Sequence, residues 1–306
     1  MLNKLENKIK HIFKYKIVHS EIVYGIYKIL IDTINFKNFF RKNKYFIKDI
    51  ENFNTIELKR EGFSFLEDRL CKDLRVSDVN NQIDKIISKK KINIEKNKPI
   101  IKLASTEDIL CIKECFDFLT HQELLKIIGS YLGETPQILH TQVWYSYNTS
   151  FIENSTQEFH LDHEDGRQVK LFLFLEKVSE DNGPLALINK SQSRQIVKET
   201  KYKLSGGKTK RIKDIDIKSG RIISCTGEQN SVLLVDTTKV LHRGSLKSPK
   251  PRTIFMAQYV TKYSTKKNND IAIKNNLYNE KSSKVRLFIE KNYSLKNKKQ
   301  YLKFII

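Results

Sequence analysis

Cysteine is scarce in this sequence, with four residues among 306, at Cys71, Cys111, Cys115 and Cys225. Four cysteines are too few for a disulfide framework in a chain of this length. Cys111 and Cys115 form a close pair, but no second pair of ligands is present to complete a zinc site. We therefore predict reduced thiols, as in cytoplasmic proteins.

Long apolar runs are also missing. The first 30 residues carry charges throughout, so they lack the apolar segment of a signal peptide. No later stretch approaches the ~20 apolar residues that span a bilayer. With 39% hydrophobic and 10% aromatic residues, the chain can still fill a sizeable core. We expect a globular cytoplasmic protein that is at most peripheral to a membrane.

Acidic residues are outnumbered, 35 against 56 basic ones, and the net charge is +21. Most of this excess lies in the two ends, with +7 in residues 1–50 and +9 in residues 261–306. The abundance of Lys, Asn and Ile is also what AT-rich coding produces, so the charge predicts no specific nucleic-acid partner. An interaction of the basic ends with an anionic surface stays open as an alternative.

Three regions differ in composition. Residues 1–56 predict a basic helical N-terminal extension, because large apolar residues recur at helical spacings among lysines and residues 1–50 contain no proline. Residues 57–262 have a more balanced composition and predict the main domain. Residues 263–306 return to basic, helix-prone sequence and predict a helical C-terminal tail.

Strand patterns replace helical ones after residue 136. The stretch "HQELLKIIGSYLGETP" predicts a helix over 121–136 that ends at Gly133 and Pro136. Six short runs of β-branched or aromatic residues follow, separated by turn residues, at 137–148, 168–178, 184–190, 220–225, 230–237 and 252–260. This spacing predicts a mainly β protein with flanking helices (α+β), built on a β-barrel or a double-layer jelly roll.

Ligand-type side chains crowd the start of the second run, in "FHLDHEDGRQ" at 159–168. Alternate residues of a strand point the same way, so His160 and Asp162 share a face. An imidazole and a carboxylate are two of the three ligands of the facial triad that holds non-haem Fe(II). His242, just after a later apolar run, is the candidate third ligand, and Arg252 follows ten residues further on.

The order of these segments resembles a known family. "FHLDHEDGRQVKLFLFLEKVSEDNGP", then "VDTTKVLHRGS" and "PRTIFMAQY", is similar to the phytanoyl-CoA dioxygenase-like branch of the Fe(II)/2-oxoglutarate-dependent oxygenases, over roughly residues 57–262. The resemblance implies a double-stranded β-helix (jelly-roll/cupin-like) core. It also implies that three side chains hold Fe(II) and that Arg252 binds 2-oxoglutarate. The implied metal ligands are His160, Asp162 and His242.

The same resemblance implies a reaction. O2 and 2-oxoglutarate would be co-substrates of a dioxygenase that hydroxylates an unactivated C–H bond of a small-molecule, lipid or sugar-type substrate. The basic ends favour an anionic molecule, a lipid or a glycan. One departure is visible, because Gln192 in "NKSQS" stands where relatives commonly have a histidine. That position is not a metal ligand, so the departure concerns substrate handling.

Other assignments of the metal-type residues remain open. His163 and Asp165 form a second His-x-Asp pair, which spacing does not exclude. We favour the first pair because Phe159 and His160 match the motif, whereas residues 164–166 have the composition of a solvated turn. If His242 is not a metal ligand, it is a core histidine. If Arg252 does not bind 2-oxoglutarate, it is a surface ion-pair partner. An arginine that opens an apolar strand favours a buried anion.

Three further residues are candidates for binding the co-substrate or substrate. Lys170, the only charge in "VKLFLFL", either binds a carboxylate or extends its amine to the rim of the barrel. Gln142 and Trp144 share a strand face and are candidates for lining the cavity, although an aromatic residue on a barrel strand is usually part of the core. Asp236 is predicted to be a turn residue. A non-catalytic cupin-like binding protein is the functional alternative.

Overall fold

The computed structural model of the chain describes residues 2–34, 52–90, 100–147, 156–202, 211–213, 217, 222–244 and 248–266. The helices are α1 (Leu2–Phe13), α2 (Glu21–Ile34), α3 (Phe53–Glu61), α4 (Asp68–Asp73), α5 (Val76–Ile87), α6 (Thr106–Leu110), α7 (Lys113–Leu119), α8 (Gln122–Leu132) and α9 (Lys190–Glu199). The strands are β1 (Phe63–Phe65), β2 (Ile100–Ala104), β3 (Gln137–Ser146), β4 (Gln168–Phe174), β5 (Leu185–Ile188), β6 (Ile223–Cys225), β7 (Val232–Val235), β8 (Leu241–Arg243) and β9 (Arg252–Val260).

Two antiparallel sheets form the core. The larger has the strand order β1-β7-β4-β9-β3-β2 and the smaller has the order β6-β5-β8. A bridge between His160 and His242 adds residues 159–160 to the smaller sheet beside β8. From β3 onward the chain therefore passes repeatedly between the two sheets, which is the connectivity of a double-stranded β-helix. The prediction of a mainly β core with flanking helices is confirmed.

All six predicted runs contain a strand, and the predicted helix at 121–136 is α8. It ends at Gly133, whose φ of +67° is a left-handed conformation that suits glycine. The pattern missed β1, β2 and β8, which have three to five residues each. Runs this short show no alternation that sequence alone can recognise.

The period of two in β4 divides its side chains between two environments. Val169, Leu171 and Leu173 pack with the helices α3 to α8 in the main apolar core. The intervening Phe172 and Phe174 face the space between the two sheets. Even-numbered residues of this strand consequently point into the barrel, and the candidate site lies there.

Helices α1 and α2 form within residues 1–50. The sequence of α1 is basic and that of α2 is not, and the basic helical extension stays a prediction. The α2 side chains pack against the end of the barrel, where Tyr27 Oη donates a hydrogen bond to the carbonyl oxygen of Tyr263 (2.7 Å). Tyr263 Oη in turn donates to Asp32 (2.7 Å), and Lys262 forms an ion pair with the same carboxylate (2.7 Å). The domain boundary after residue 56 stays a prediction, and these contacts cross it.

The predicted C-terminal tail lies largely outside the described residues, which end at 266. The binding of an anionic surface by the basic ends stays a prediction. None of the described helices is long and apolar enough to cross a bilayer. None of the four cysteines is in a disulfide bond.

Candidate metal centre

Three ligand-type side chains converge where residues 160–162 pass β8. His160, Asp162 and His242 each offer one ligand atom, and these atoms lie within 4.8 Å of one another. The two imidazole centroids are 4.3 Å apart, and Asp162 Oδ2 is 3.7 Å from His242 Nε2. Both histidines are buried. The bridge between His160 and His242 explains the convergence, because it fixes the first ligand beside the third.

Backbone carbonyls orient both imidazoles. His160 Nδ1 lies 2.9 Å from the carbonyl oxygen of Glu158, and His242 Nδ1 lies 3.1 Å from that of Val240. A carbonyl only accepts, so each Nδ1 carries the proton and each Nε2 keeps a lone pair. Burial lowers the pKa of both histidines, and each imidazole is therefore neutral. A neutral, oriented imidazole is the form that binds a metal.

Two donors hold the Asp162 carboxylate. Lys170 Nζ lies 2.6 Å from Asp162 Oδ2, and Gln168 Nε2 donates to the same oxygen over 3.2 Å. Burial by itself would raise the pKa of Asp162, but the Lys170 ammonium outweighs it, so the pKa lies below its usual range. The carboxylate is consequently ionised, as a metal ligand must be.

A cavity of about 310 Å³ adjoins two of the three candidate ligands, His160 and His242. Its apolar wall includes Trp144, Phe172, Phe174, Leu185, Leu233 and Ile254. Arg252, the first residue of β9, also lines the cavity and is 7% exposed. Burial lowers its pKa to about 10, so an incoming carboxylate would stabilise its charged form. The cavity thus joins a metal-type cluster to a buried guanidinium.

The three further candidates for binding the co-substrate or substrate, Lys170, Gln142 and Trp144, point in different directions. Lys170 lines the cavity and binds Asp162, so the alternative that its amine extends to the rim is wrong. Trp144 is half-buried on the cavity wall, and its Nε1 donates to Gln142 Oε1 over 2.6 Å. Gln142 therefore supports Trp144 and is not one of the lining residues found in the described part of the chain.

The second His-x-Asp pair faces other elements. The His163 ring lies 5.0 Å from that of Tyr15. Asp165 is fully buried and accepts hydrogen bonds from Thr261 N (2.7 Å), Thr261 Oγ1 (2.8 Å) and Tyr24 Oη (2.9 Å). Burial raises the pKa of Asp165 to about 6. Residues 164–166 were expected to be a solvated turn, which is wrong because α2 and residues 261–266 cover them.

Sequence reasoning missed Gln168, which bonds to Thr237 Oγ1 (2.7 Å) as well as to Asp162. The available signal was its position two residues before Lys170, on the same face of the strand. Asp236 is a turn residue as predicted, since its Oδ1 accepts from Thr238 N (2.9 Å). Gln192 lies in the first turn of α9, where its backbone N–H donates to the Asn189 side chain.

Comparisons with known proteins gave no match to any family model and none to any curated protein. Similar solved structures include the epimerase SnoN in complex with Fe3+, alpha ketoglutarate and nogalamycin RO, which is 10% identical with a TM-score of 0.48 over 68% of this chain and 82% of that chain. EctD from S. alaskensis in its apoform is 15% identical with a TM-score of 0.46, over 72% and 80%. AviO1 from Streptomyces viridochromogenes Tue57 is 12% identical with a TM-score of 0.43, over 69% and 95%. The functional argument therefore depends on the residues of the site.

Proposed function

We propose that this protein is an Fe(II)- and 2-oxoglutarate-dependent oxygenase. The observation that carries the proposal is the convergence of two backbone-oriented imidazoles and one ionised carboxylate on a cavity that also contains a buried arginine. Two histidines and one carboxylate are the donor set that non-haem Fe(II) accepts while keeping positions open for co-substrates. The residues present therefore fit the metal.

His160, Asp162 and His242 would hold the metal. Bound Fe(II) would supply the redox chemistry by which O2 oxidises 2-oxoglutarate to succinate and CO2 and oxidises the substrate. Arg252 would bind the distal carboxylate of 2-oxoglutarate, because a guanidinium forms two parallel hydrogen bonds with a carboxylate. The apolar wall would exclude water from the reacting groups.

Three finer assignments belong to the same proposal. We propose hydroxylation of an unactivated C–H bond as the reaction and membership of the phytanoyl-CoA dioxygenase-like branch. The support is the order of the motifs and the ten-residue spacing from His242 to Arg252. We also propose a cytoplasmic location, on the charged N-terminal sequence and the sparse cysteines.

Succinate formation tests the proposal. The full chain, incubated with Fe(II), 2-oxoglutarate and O2, should release succinate slowly even without a substrate. The Asp162→Ala variant should release none above a protein-free control. A wild-type protein that binds one Fe(II) and 2-oxoglutarate but forms no succinate, alone or with pools of metabolites, would favour the non-catalytic binding protein instead.

A further inference from the structure

Lys170 is a half-buried cation inside the candidate site, with 13% of its side chain exposed. It projects from the middle of β4 into the cavity, and its Nζ lies 2.6 Å from Asp162 Oδ2. An ammonium has three N–H donors. Asp162 is the one acceptor recorded for Lys170 among the described residues. Polar groups inside a protein normally form hydrogen bonds. The remaining N–H donors of Lys170 are therefore available to a ligand in the cavity.

The charges around the cavity are unbalanced. Lys102, Lys170 and Arg252 line it, and none of the lining residues in the described part of the chain is acidic. Asp162 stands beside Lys170, but a divalent metal at the triad would share that carboxylate. Two cations would then share that carboxylate. Glu164 also acts on Lys170, but it forms its own ion pair with Lys266 (2.6 Å), which leaves Lys170 short of a counter-charge.

The distal carboxylate of the co-substrate does not meet this need. It would bind Arg252, while the other carboxylate of 2-oxoglutarate would bind the metal and offset the charge of the metal. Lys170 pairs across the sheet with Gln258, six residues along β9 from Arg252. At about 3.3 Å per residue, the Cα atoms of the two cationic residues are roughly 20 Å apart along the sheet. Lys170 therefore enters the cavity from the end opposite to Arg252. Lys102 is exposed and does not share this burial.

The space beside Lys170 limits what binds there. Phe172 and Leu233, which are cross-strand neighbours, form an apolar wall next to it. The volume of about 310 Å³ is at the small end for ligand sites and must also contain the co-substrate. A ligand that fits is therefore small, mainly apolar, and carries an anionic group at one end.

We propose that Lys170 binds a carboxylate of the primary substrate and that this substrate is a small, mainly apolar carboxylic acid. The inference rests on the proposed oxygenase function and names its substrate class. Lys170 would hold the acid end beside the metal, while the hydrocarbon part contacts the aromatic and aliphatic wall.

Trp144 makes ligand binding measurable without turnover. It is the only tryptophan of the chain, and it lines the cavity. The full chain is loaded with Zn(II), which binds imidazole and carboxylate ligands but has no redox chemistry. With 2-oxoglutarate at saturation, the protein is titrated separately with butanoate, hexanoate and octanoate and with the primary amide of each. The Trp144 fluorescence reports binding in each titration. Wild type should bind at least one acid tenfold or more tightly than its amide.

Substitution of Lys170 should remove this preference. Lys170→Met, which has a similar length, should lose tenfold or more affinity for the preferred acid while its amide affinity changes less than twofold. Lys170→Arg should keep the preference. Lys170→Gln, an uncharged side chain that keeps an N–H donor, repeats the test if the Met variant does not fold. A wild type without any preference for acids across the series would make the proposal wrong.

Gln168→Met is the matched control, because Gln168 also donates to Asp162 but does not line the described cavity. This variant should bind Zn(II) more weakly and keep the preference for acids. If Lys170→Met and Gln168→Met behave alike, Lys170 only orients Asp162. If Lys170→Met weakens 2-oxoglutarate binding tenfold, Lys170 serves the co-substrate. Either result overturns the proposal. A preference for acids without any succinate formation would instead remove the oxygenase function and leave the carboxylate site.

Discussion

The two His-x-Asp pairs of this chain begin three residues apart and lie in opposite environments. His160 and Asp162 meet His242 at a cavity. His163 and Asp165 face Tyr15 and Tyr24 of the N-terminal region instead. Residues 161–167 precede β4 and bend at residues 164, 166 and 167, so the chain turns between the two pairs. Identical spacing therefore supplies two candidate metal sites, and the bridge to β8 decides which pair meets a third ligand.

Removal of one histidine from each pair gives the largest contrast. His160→Ala takes away one of three ligands and should abolish stoichiometric binding of Fe(II). His163→Ala should still bind one Fe(II) per chain, because His163 is not part of the cluster. Anaerobic titration with Fe(II), followed by metal analysis after desalting, measures both. Retained binding in His160→Ala with loss in His163→Ala would move the site to the second pair.

The second pair should matter for stability. Asp165→Ala leaves three buried donors from Thr261 and Tyr24 without their acceptor, so we expect the free energy of unfolding to fall by about 2–4 kcal/mol. Urea unfolding of the metal-free chain measures this. Tyr24→Phe, which removes one of the three bonds, should cost about 1 kcal/mol. An Asp165→Ala protein of wild-type stability that no longer binds metal would make Asp165 a ligand.

Substitution of Arg252 tests whether the cavity beside the first pair binds the co-substrate. If the first pair holds the metal, Arg252→Leu should raise the KM for 2-oxoglutarate in succinate formation, by an amount equivalent to about 1.5–3 kcal/mol. His163→Ala, at a residue outside the cavity, should leave this KM within twofold. An unchanged KM in Arg252→Leu would exclude Arg252 from co-substrate binding.

The smallest contrast is in the pH dependence of stability. Burial lowers the pKa of His140 to about 4, and it also lowers those of His160 and His242. Below pH 6.5 the unfolded chain binds protons that these histidines do not bind when folded, so acid destabilises the metal-free protein. Asp165, with a pKa raised to about 6, acts in the opposite direction as the pH falls from about 6 towards 4.

Asp165→Asn removes that opposing contribution. The free energy of unfolding should therefore fall more steeply between pH 6 and pH 4 in this variant, by up to about 1.4 kcal/mol per pH unit. Urea titrations at several pH values, in the presence of a chelator, measure the slope. A slope equal to that of wild type would mean that Asp165 titrates in the folded protein as it does in the unfolded chain.

Local patterns were sufficient for much of the fold. The apolar run in "QVKLFLF" predicts β4, and the spacing of His160, Asp162 and His242 names the candidate ligands. The direction in which Lys170 points depends on Asp162, which precedes the strand. The burial of Asp165 depends on Tyr24, 141 residues earlier, and on Thr261, 96 residues later. No pattern within a short window contains partners at those distances.

The Asp165 contacts also bear on how the protein is synthesised. The segment that carries the first two candidate ligands is secured by residues from near both ends of the described chain. A nascent chain that has emerged only to residue 240 contains neither His242 nor Thr261, so its metal site is incomplete. The apolar face of α2 packs against this end of the barrel, so it stays uncovered until these later residues have been synthesised. This face carries Tyr24, Tyr27 and Ile31. Such late closure exposes an apolar helix face during translation, a stage at which binding by a chaperone protects a chain from aggregation.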